Sequence, residues 1–271
     1  MVNVDIIVPT YGQEEYTIKC FDSLVAADND VHTQRLIWVD NGSTVESRER
    51  VMSHFSRMRR RLSVWNNTNL GFVQAVNIGL NISTRAMDVG TNYVAILNND
   101  TEVGAGWMTD LIGTLERNRE IGVVGPLPSK GTWGGWEQSF KNWLGYNPPP
   151  FMNGSVEEIR AGLRSTCGIK FVEVPMVAFF CAVLKRSVVE RVGMLDERFG
   201  VGFGDDDDYC MRATKCGFKM AIVPGVYVIH NHRTTFRAQY SAEQIASMQR
   251  KNIAMYKEKH GIKDGIAPNR R

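Results

Sequence analysis

The segment Asn92-Tyr-Val-Ala-Ile-Leu-Asn-Asn-Asp-Thr-Glu-Val103 decides how this chain is read. Tyr93 to Leu97 is an apolar strand, and a polar cluster closing on Asp100 follows it at once. In an open α/β sheet, ligands sit in the crevice beyond the carboxyl ends of the strands, so a carboxylate at a strand exit is placed to meet a metal or a phosphate. Taken alone, the cluster also fits an ordinary turn, because Asn and Asp leave strands as turn formers. The flanking segments select between the two.

Upstream, Val4 to Val8 is a β-branched run closed by Pro9, and the apolar spacing Tyr16, Ile18, Phe21, Leu24, Val25 predicts a helix over 14–27. Leu36 to Val39 repeats the strand signal and ends in Asp40-Asn41-Gly42-Ser43, whose Asn-Gly pair favours a tight turn. A helix over 45–58, a strand over 62–65, a loop over 66–71 and a helix starting at Phe72 follow. Strands alternating with helices at this spacing predict βαβ units, hence an α/β fold with a Rossmann-like, mainly parallel sheet flanked by helices. Pro-Thr-Tyr-Gly-Gln follows the first strand in place of G-x-G-x-x-G, and no G-x-x-x-x-G-K-[ST] occurs, which excludes the standard dinucleotide and P-loop phosphate cradles.

Downstream, a helix over 107–117 leads to Gly122-Val-Val-Gly-Pro126 and then to a change of texture. Ser129 to Gly154 carries Trp133, Trp136 and Trp143 with little periodicity, as an ordered or ligand-ordered functional loop does. Val172 to Leu184 is again strand-like, short helices are expected over 187–192 and 205–216, a late strand over 220–229, and an amphipathic helix over 242–260 as a C-terminal extension. These shifts suggest a nucleotide-binding subdomain over 1–125, an acceptor-binding subdomain over 126–237, and a helix and tail over 238–271.

With 271 residues and 43% hydrophobic content, the chain can bury a substantial core and is expected to be soluble and globular. Its 32 basic and 29 acidic residues nearly cancel, which argues against a nucleic-acid partner. Arg57, Arg59, Arg60 and Arg61 form the densest basic run, read as a solvated face, with contact to an anionic surface as the other option. The five cysteines form no C-x-x-C pair and are expected to be reduced thiols of a cytoplasmic protein. No apolar run approaches the ~18 residues of a membrane span, so membrane contact is expected to be peripheral at most.

Two further clusters carry chemistry. Gly200-Val-Gly-Phe-Gly-Asp-Asp-Asp-Asp208 sets four consecutive carboxylates at the start of a helix, where free N–H groups and the positive dipole end offer relief. Four acids exceed what a cap requires, and mutual repulsion in a desolvated site raises proton affinity. Val228-Ile-His-Asn-His232 places His230 and His232 on one side of a strand end, where either imidazole suits a cation shared with Asp100.

Taken together, these segments resemble the inverting, GT-A-fold family-2 glycosyltransferases, and rhamnosyltransferase-like members in particular. The resemblance covers about residues 3 to 235. Val-Pro-Thr-Tyr (8–11) and Val-Asp-Asn-Gly-Ser (39–43) look like the first two nucleotide motifs, and Asn69-x-Gly71-Phe72 with Asn77-x-Gly79 is similar to the third. Leu-Asn-Asn-Asp (97–100) looks like a D-x-D variant with one carboxylate, and Asp205-Asp206-x-Asp208 with Arg212 looks like the acceptor-side motif, with Asp205 in place of Glu.

The resemblance implies a UDP- or dTDP-sugar donor and a glycan, lipid-linked or protein acceptor. Pro9, Thr10 and Tyr11 would shape the base wall, Asp40 would accept a base N–H, and Asn69, Gly71, Asn77, Asn98 and Asn99 would line the donor site. Asp100 would ligate Mn²⁺ or Mg²⁺ with His230, or with His232 behind it. Asp206 would be the base, and Asp205 and Asp208 would orient it or the acceptor. Trp133 and Trp136 would stack on acceptor sugars, although they fit equally well as core residues.

Two other readings compete. A nucleotidyltransferase requires a glycine- and lysine-rich loop after the first strand, and Tyr11-Gly12-Gln13-Glu14-Glu15 is not one. A non-catalytic carbohydrate-binding chain on a degenerate transferase fold is the alternative from another class.

Overall fold

The computed structural model describes residues 2–27, 32–85, 90–127, 149–231 and 239–262. Trp133, Trp136, Trp143 and His232 lie outside these residues. Strands β1 (Asn3–Thr10), β2 (Thr33–Asp40), β3 (Arg61–Trp65) and β4 (Tyr93–Leu97) are parallel neighbours in the order β3-β2-β1-β4. Their crossovers contain α1 (Glu14–Ala27), α2 (Val45–Phe55) and α3 (Phe72–Arg85). Because β2 and β3 lie on one side of β1 and β4 on the other, the winding reverses between β1 and β4. That reversal opens the crevice in which α/β sheets bind ligands.

The chain continues through β5 (Thr101–Glu102), α4 (Trp107–Arg117) and β6 (Ile121–Leu127), then a 3-10 turn at Pro150–Asn153 and α5 (Val156–Cys167). Next come β7 (Val172–Val174), β8 (Cys181–Lys185), α6 (Arg186–Val192), a second 3-10 turn at Glu197–Phe199 and α7 (Asp205–Lys215). β9 (Lys219–Tyr227), β10 (Ile229–His230) and α8 (Ala242–His260) complete it. Among the described residues, one eight-stranded sheet, ordered β3-β2-β1-β4-β8-β6-β9-β7, holds all strands except β5 and β10, which pair antiparallel as a separate ribbon. Within the sheet only β8 and β7 run against their neighbours.

Both faces of the sheet are covered, which is why its strands read as nearly continuous apolar runs. Ile6, Val8 and Trp38 pack under α1, α2 and α4, while Ile7, Ile37 and Ile96 pack under α3, α5, α6 and α7. Strand alternation divides β1 between the two cores. Gly79 lets α3 approach closely, because a Cβ there would stand 2.4 Å from the Ile7 side chain.

Four expectations shift in detail. The boundary at 125/126 falls inside β6, and strands from both sides of it share the sheet. The apolar run 172–184 is two strands, because Pro175 has no N–H to give a ladder and a loop over 175–180 intervenes. The late strand stops at Tyr227, and His230 belongs to the separate ribbon. Finally, α5 is a helix the sequence reading passed over, although Ser155 and Glu158 form a complete capping box. No helix among the described residues is long and apolar enough to cross a membrane.

Candidate active site

The corner between β1 and β2 is built around Asp40, whose side chain is only 1% exposed. Its Oδ1 accepts from the backbone N–H groups of Gly42 (3.3 Å) and Ser43 (3.0 Å) and from Arg48 Nε (2.7 Å), and its Oδ2 accepts from Thr10 Oγ1 (3.3 Å). Trp38 Nε1 donates to the same Thr10 hydroxyl at 2.8 Å. Asp40, placed by sequence as a base-recognition group, is therefore also the anchor of its own loop. Pro9 is buried within β1, whereas Tyr11 is half-buried at the strand's exit. Arg48 lies over the half-exposed Trp65 ring at 5.6 Å from its centre, giving this end of the crevice an indole surface that no motif had marked.

Asn41, the next residue, organises the 66–71 loop. Its amide donates to Asn69 Oδ1 (2.8 Å) and the Gly71 carbonyl (3.1 Å), and its oxygen accepts from Asn66 (3.0 Å) and the Leu70 N–H (3.1 Å). Asn69 is exposed at the loop's tip and reaches Gln239 at 3.1 Å. Gly71 has φ +86, and a Cβ there would stand 2.8 Å from the Gly200 carbonyl oxygen, so glycine is what allows the 66–71 loop to touch the segment that leads to the acids. Asn77 differs from what was expected of it. Its amide bonds the Leu195 backbone in both directions (3.0 and 2.9 Å) and Glu197 (3.2 Å), so it ties α3 to the 195–197 segment instead of lining a ligand site.

Beyond β4, the Asn98 N–H donates to the Phe180 carbonyl at 2.8 Å. The ribbon of β5 and β10 pairs His230 with Thr101, and His230 Nε2 lies 3.3 Å from Asp100 Oδ1 with both side chains under 10% exposed. The Asn231 backbone and side-chain N–H groups donate to the Asp100 carbonyl at 2.9 and 3.2 Å. Phe180 stacks flat on the His230 imidazole, 4.7 Å between centres and 7° between planes. Asn99, expected to face the donor, is buried and donates to Thr17 Oγ1 of α1 at 2.9 Å, so it braces the turn from below.

A divalent cation fits this place in kind. Carboxylate oxygen and imidazole nitrogen face one another, and the adjacent Asn98 Oδ1 is buried with no hydrogen-bond partner. Among the described residues no group of three His, Cys, Asp or Glu side chains is gathered for a metal.

The N-terminal turn of α7 carries the acids. Burial pushes the Asp205 carboxyl up to about 7, and the charges of Asp207 and Asp208 add to that rise against the backbone N–H bonds it accepts. Asp206 is half-buried. Its proton affinity also rises well above the carboxylate range through desolvation and then the charges of Asp205 and Asp207, opposed by N–H bonds from Asp207 and Phe179. Such a pair gives up its second proton reluctantly. Asp208, expected on the acceptor face, is fully enclosed instead. Arg212 Nε (2.8 Å), Lys259 Nζ (2.6 Å) and His260 Nε2 (2.8 Å) surround it. Burial works against its charge, but these partners outweigh burial and hold its carboxyl below the usual range. Two residues along an α-helix turn the direction by roughly 200°, so the Asp208 side chain points away from that of Asp206.

The dipeptide Phe179-Phe180 joins the two halves. The Phe179 backbone is close enough to Asp206 to favour its charged form, and Phe180 accepts from the Asn98 N–H and stacks on His230. Asp100 and His230 stand just past the end of β4, where the winding reverses, with Tyr11 and the Asp40 corner at the ends of β1 and β2.

This architecture is a GT-A fold. A mannosyltransferase from Pyrobaculum calidifontis in complex with GDP-Man and Mn²⁺ superposes with a TM-score of 0.63 at 18% identity over 98% of this chain and 65% of that one. GalNAc-T7 with UDP, GalNAc and Mn²⁺ gives 0.62 at 16% identity over 85% and 44%. This chain therefore spans less than two thirds of either structure. Residues 5–193 match the family described as Glycosyl transferase family 2, and the chain belongs to that family and is a glycosyltransferase. An uncharacterised protein of Mycobacterium tuberculosis is 25% identical over 247 residues, 90% of this chain and 80% of the relative. The N-acetylglucosaminyl-diphospho-decaprenol L-rhamnosyltransferase of the same organism is 22% identical over 284 residues, 94% of this chain and 84% of that enzyme.

Proposed function

We propose that the chain moves a sugar from a nucleoside-diphosphate donor, UDP or dTDP, to an acceptor hydroxyl by in-line displacement with inversion. The observation that supports this most is the Asp100–His230 pair just past β4, held by Phe180, which accepts from the Asn98 N–H and stacks on His230. Asp206 removes the acceptor proton as the oxygen attacks the anomeric carbon, and its raised affinity makes it a stronger base than an exposed aspartate. Asp205 keeps that affinity high, and the Asp207 N–H, 2.9 Å from Asp206 Oδ1, holds the carboxylate's direction.

Asp100 and His230, with Asn98 Oδ1, would hold Mn²⁺ or Mg²⁺, which when bound neutralises charge on the departing diphosphate. Tyr11 and the Asp40 corner orient the base, and Arg48 with Trp65 extends that wall. The rhamnosyltransferase relative favours a deoxysugar donor and a lipid-linked glycan acceptor. Residues within 126–237, Trp133 and Trp136 among them, would receive the acceptor, with no nucleic acid and at most peripheral membrane contact, in the cytoplasm.

Calorimetric titration with UDP, dTDP and GDP, each with and without Mn²⁺, tests the donor site. One nucleotide should bind in a cation-dependent way and lose at least about tenfold in affinity in Asp100→Ala. Cation-independent binding that survives in Asp100→Ala would remove the metal from this site.

A further inference from the structure

The C-terminal helix α8 buries only Ile245, Asn252 and Tyr256, a thin apolar contact for nineteen residues. Its polar contacts are denser and converge on one place. Asn252, 5% exposed, donates to the carbonyls of Phe199 (3.0 Å) and Gly202 (2.7 Å), in the loop that delivers the chain to α7. Two turns later, Lys259 bridges Asp208 (2.6 Å) and Asp196 (2.7 Å), and His260 Nε2 reaches Asp208 at 2.8 Å. Lys215 Nζ stands 3.0 Å from the other ring nitrogen, Nδ1, so that nitrogen accepts and Nε2 carries the hydrogen given to Asp208. The Tyr256 ring, 4.9 Å from the imidazole, fixes its tilt.

Between these two anchors lie the first residues of α7. The loop they bracket needs such support. Gly200, Gly202 and Gly204 all have positive φ, and Phe203 is held at φ +72, which a side-chain-bearing residue adopts only where its surroundings impose it.

We propose that α8 is a positioning element for the transfer reaction, with Asn252, Lys259 and His260 clamping the loop before α7 and Asp208 so that Asp206 is held toward the crevice. The proposal rests on Asp206 being the base. Both anchors act through backbone or through Asp208, and neither touches the crevice itself. Their removal therefore loosens the direction of Asp206 without altering the donor's contacts on β1, β2 and β4.

The test uses the full chain with Asn252→Leu, Lys259→Met, the conservative Lys259→Arg, and Asp206→Asn as reference. Nucleoside-diphosphate release from UDP- and dTDP-sugars, with water as acceptor, reads turnover. UDP or dTDP titration reads the donor site, and amide hydrogen exchange reads residues 199–210 against β1 and β4. Lys259→Met and Asn252→Leu should lower kcat by on the order of tenfold or more, keep nucleotide affinity within about twofold, and speed exchange in 199–210 alone. Lys259→Arg should restore most of kcat. Loss of turnover in Asp206→Asn with wild-type turnover and exchange in both clamp variants would overturn the proposal by itself. Exchange that rises equally in β1 and β4 would overturn it as well, because α8 would then support the fold in general. Wild-type turnover in Asp206→Asn would overturn the base reading and the positioning role together.

Discussion

Asp40 and Asp205 are almost equally enclosed, at 1% and 4% exposure, yet they sit in opposite surroundings. Asp40 closes a corner in which a guanidinium, a hydroxyl and two backbone N–H groups answer its charge. Asp205 and its neighbour Asp206 have backbone donors and further aspartates nearby, and among the described residues no cation pairs with either. The first arrangement gives a rigid, pre-set surface suited to recognising a ligand, and the second stores basicity suited to removing a proton. Asp208 makes the comparison within a single helical turn: three cationic or imidazole partners hold its affinity down while Asp205 and Asp206 rise.

The largest effect that would sharpen this contrast is expected on the acid side. Asp206→Asn should cut donor turnover by about 10²–10⁴-fold while nucleotide affinity stays within about twofold; a parallel loss of affinity would make Asp206 part of the donor site. On the matched side the expected loss is stability. Arg48→Met leaves the enclosed Asp40 without its cation and should lower the unfolding free energy by about 3 kcal/mol, read by urea denaturation at neutral pH. An unchanged midpoint would show that the pair contributes nothing to the corner. Gly71→Ala, which meets the Gly200 carbonyl at 2.8 Å and a φ of +86, should cost about 1–3 kcal/mol and weaken nucleotide binding through the displaced 66–71 loop.

The smallest effect concerns pH. Asp205 holds its proton up to about 7 in the folded chain, whereas the unfolded chain releases it near 4. The stability tied to that proton is present below the unfolded value and is lost as pH rises toward about 7. Asp205→Asn should therefore melt above wild type at about pH 8 and close to it at about pH 4. A difference that is constant with pH would show that Asp205 titrates normally.

Much of the fold was legible because strands buried on both faces and helices with one apolar stripe leave different periods in the sequence. The places of Asp40 at the end of β2, Asp100 just past β4 and Asp206 in the first turn of α7 were legible because each stands where a periodic run stops or starts. The true environment of Asp208 was not, because its partners Lys259 and His260 lie about fifty residues away and carry no motif; only Arg212, four residues on, was within reach of helical spacing. Phe179-Phe180 looked like more of the strand that follows, and only the Pro175 break showed that it is a loop crossing the crevice. Asn77 and Asn99 stand in segments that resemble ligand motifs, but the fold turns their amides inward to hold those segments in place. The capping box at Ser155 was present in the sequence and would have found α5.

Whether the matched and unmatched corners serve one reaction is tested most directly by turnover in Asp100→Ala, Asp206→Asn and the double variant, measured as nucleoside-diphosphate release under saturating donor and Mn²⁺. Groups that act on the same transition state lose their effect together, so the double variant should be no slower than the slower single variant. Two losses that multiply in the double variant, or wild-type turnover in either single one, would contradict a shared site.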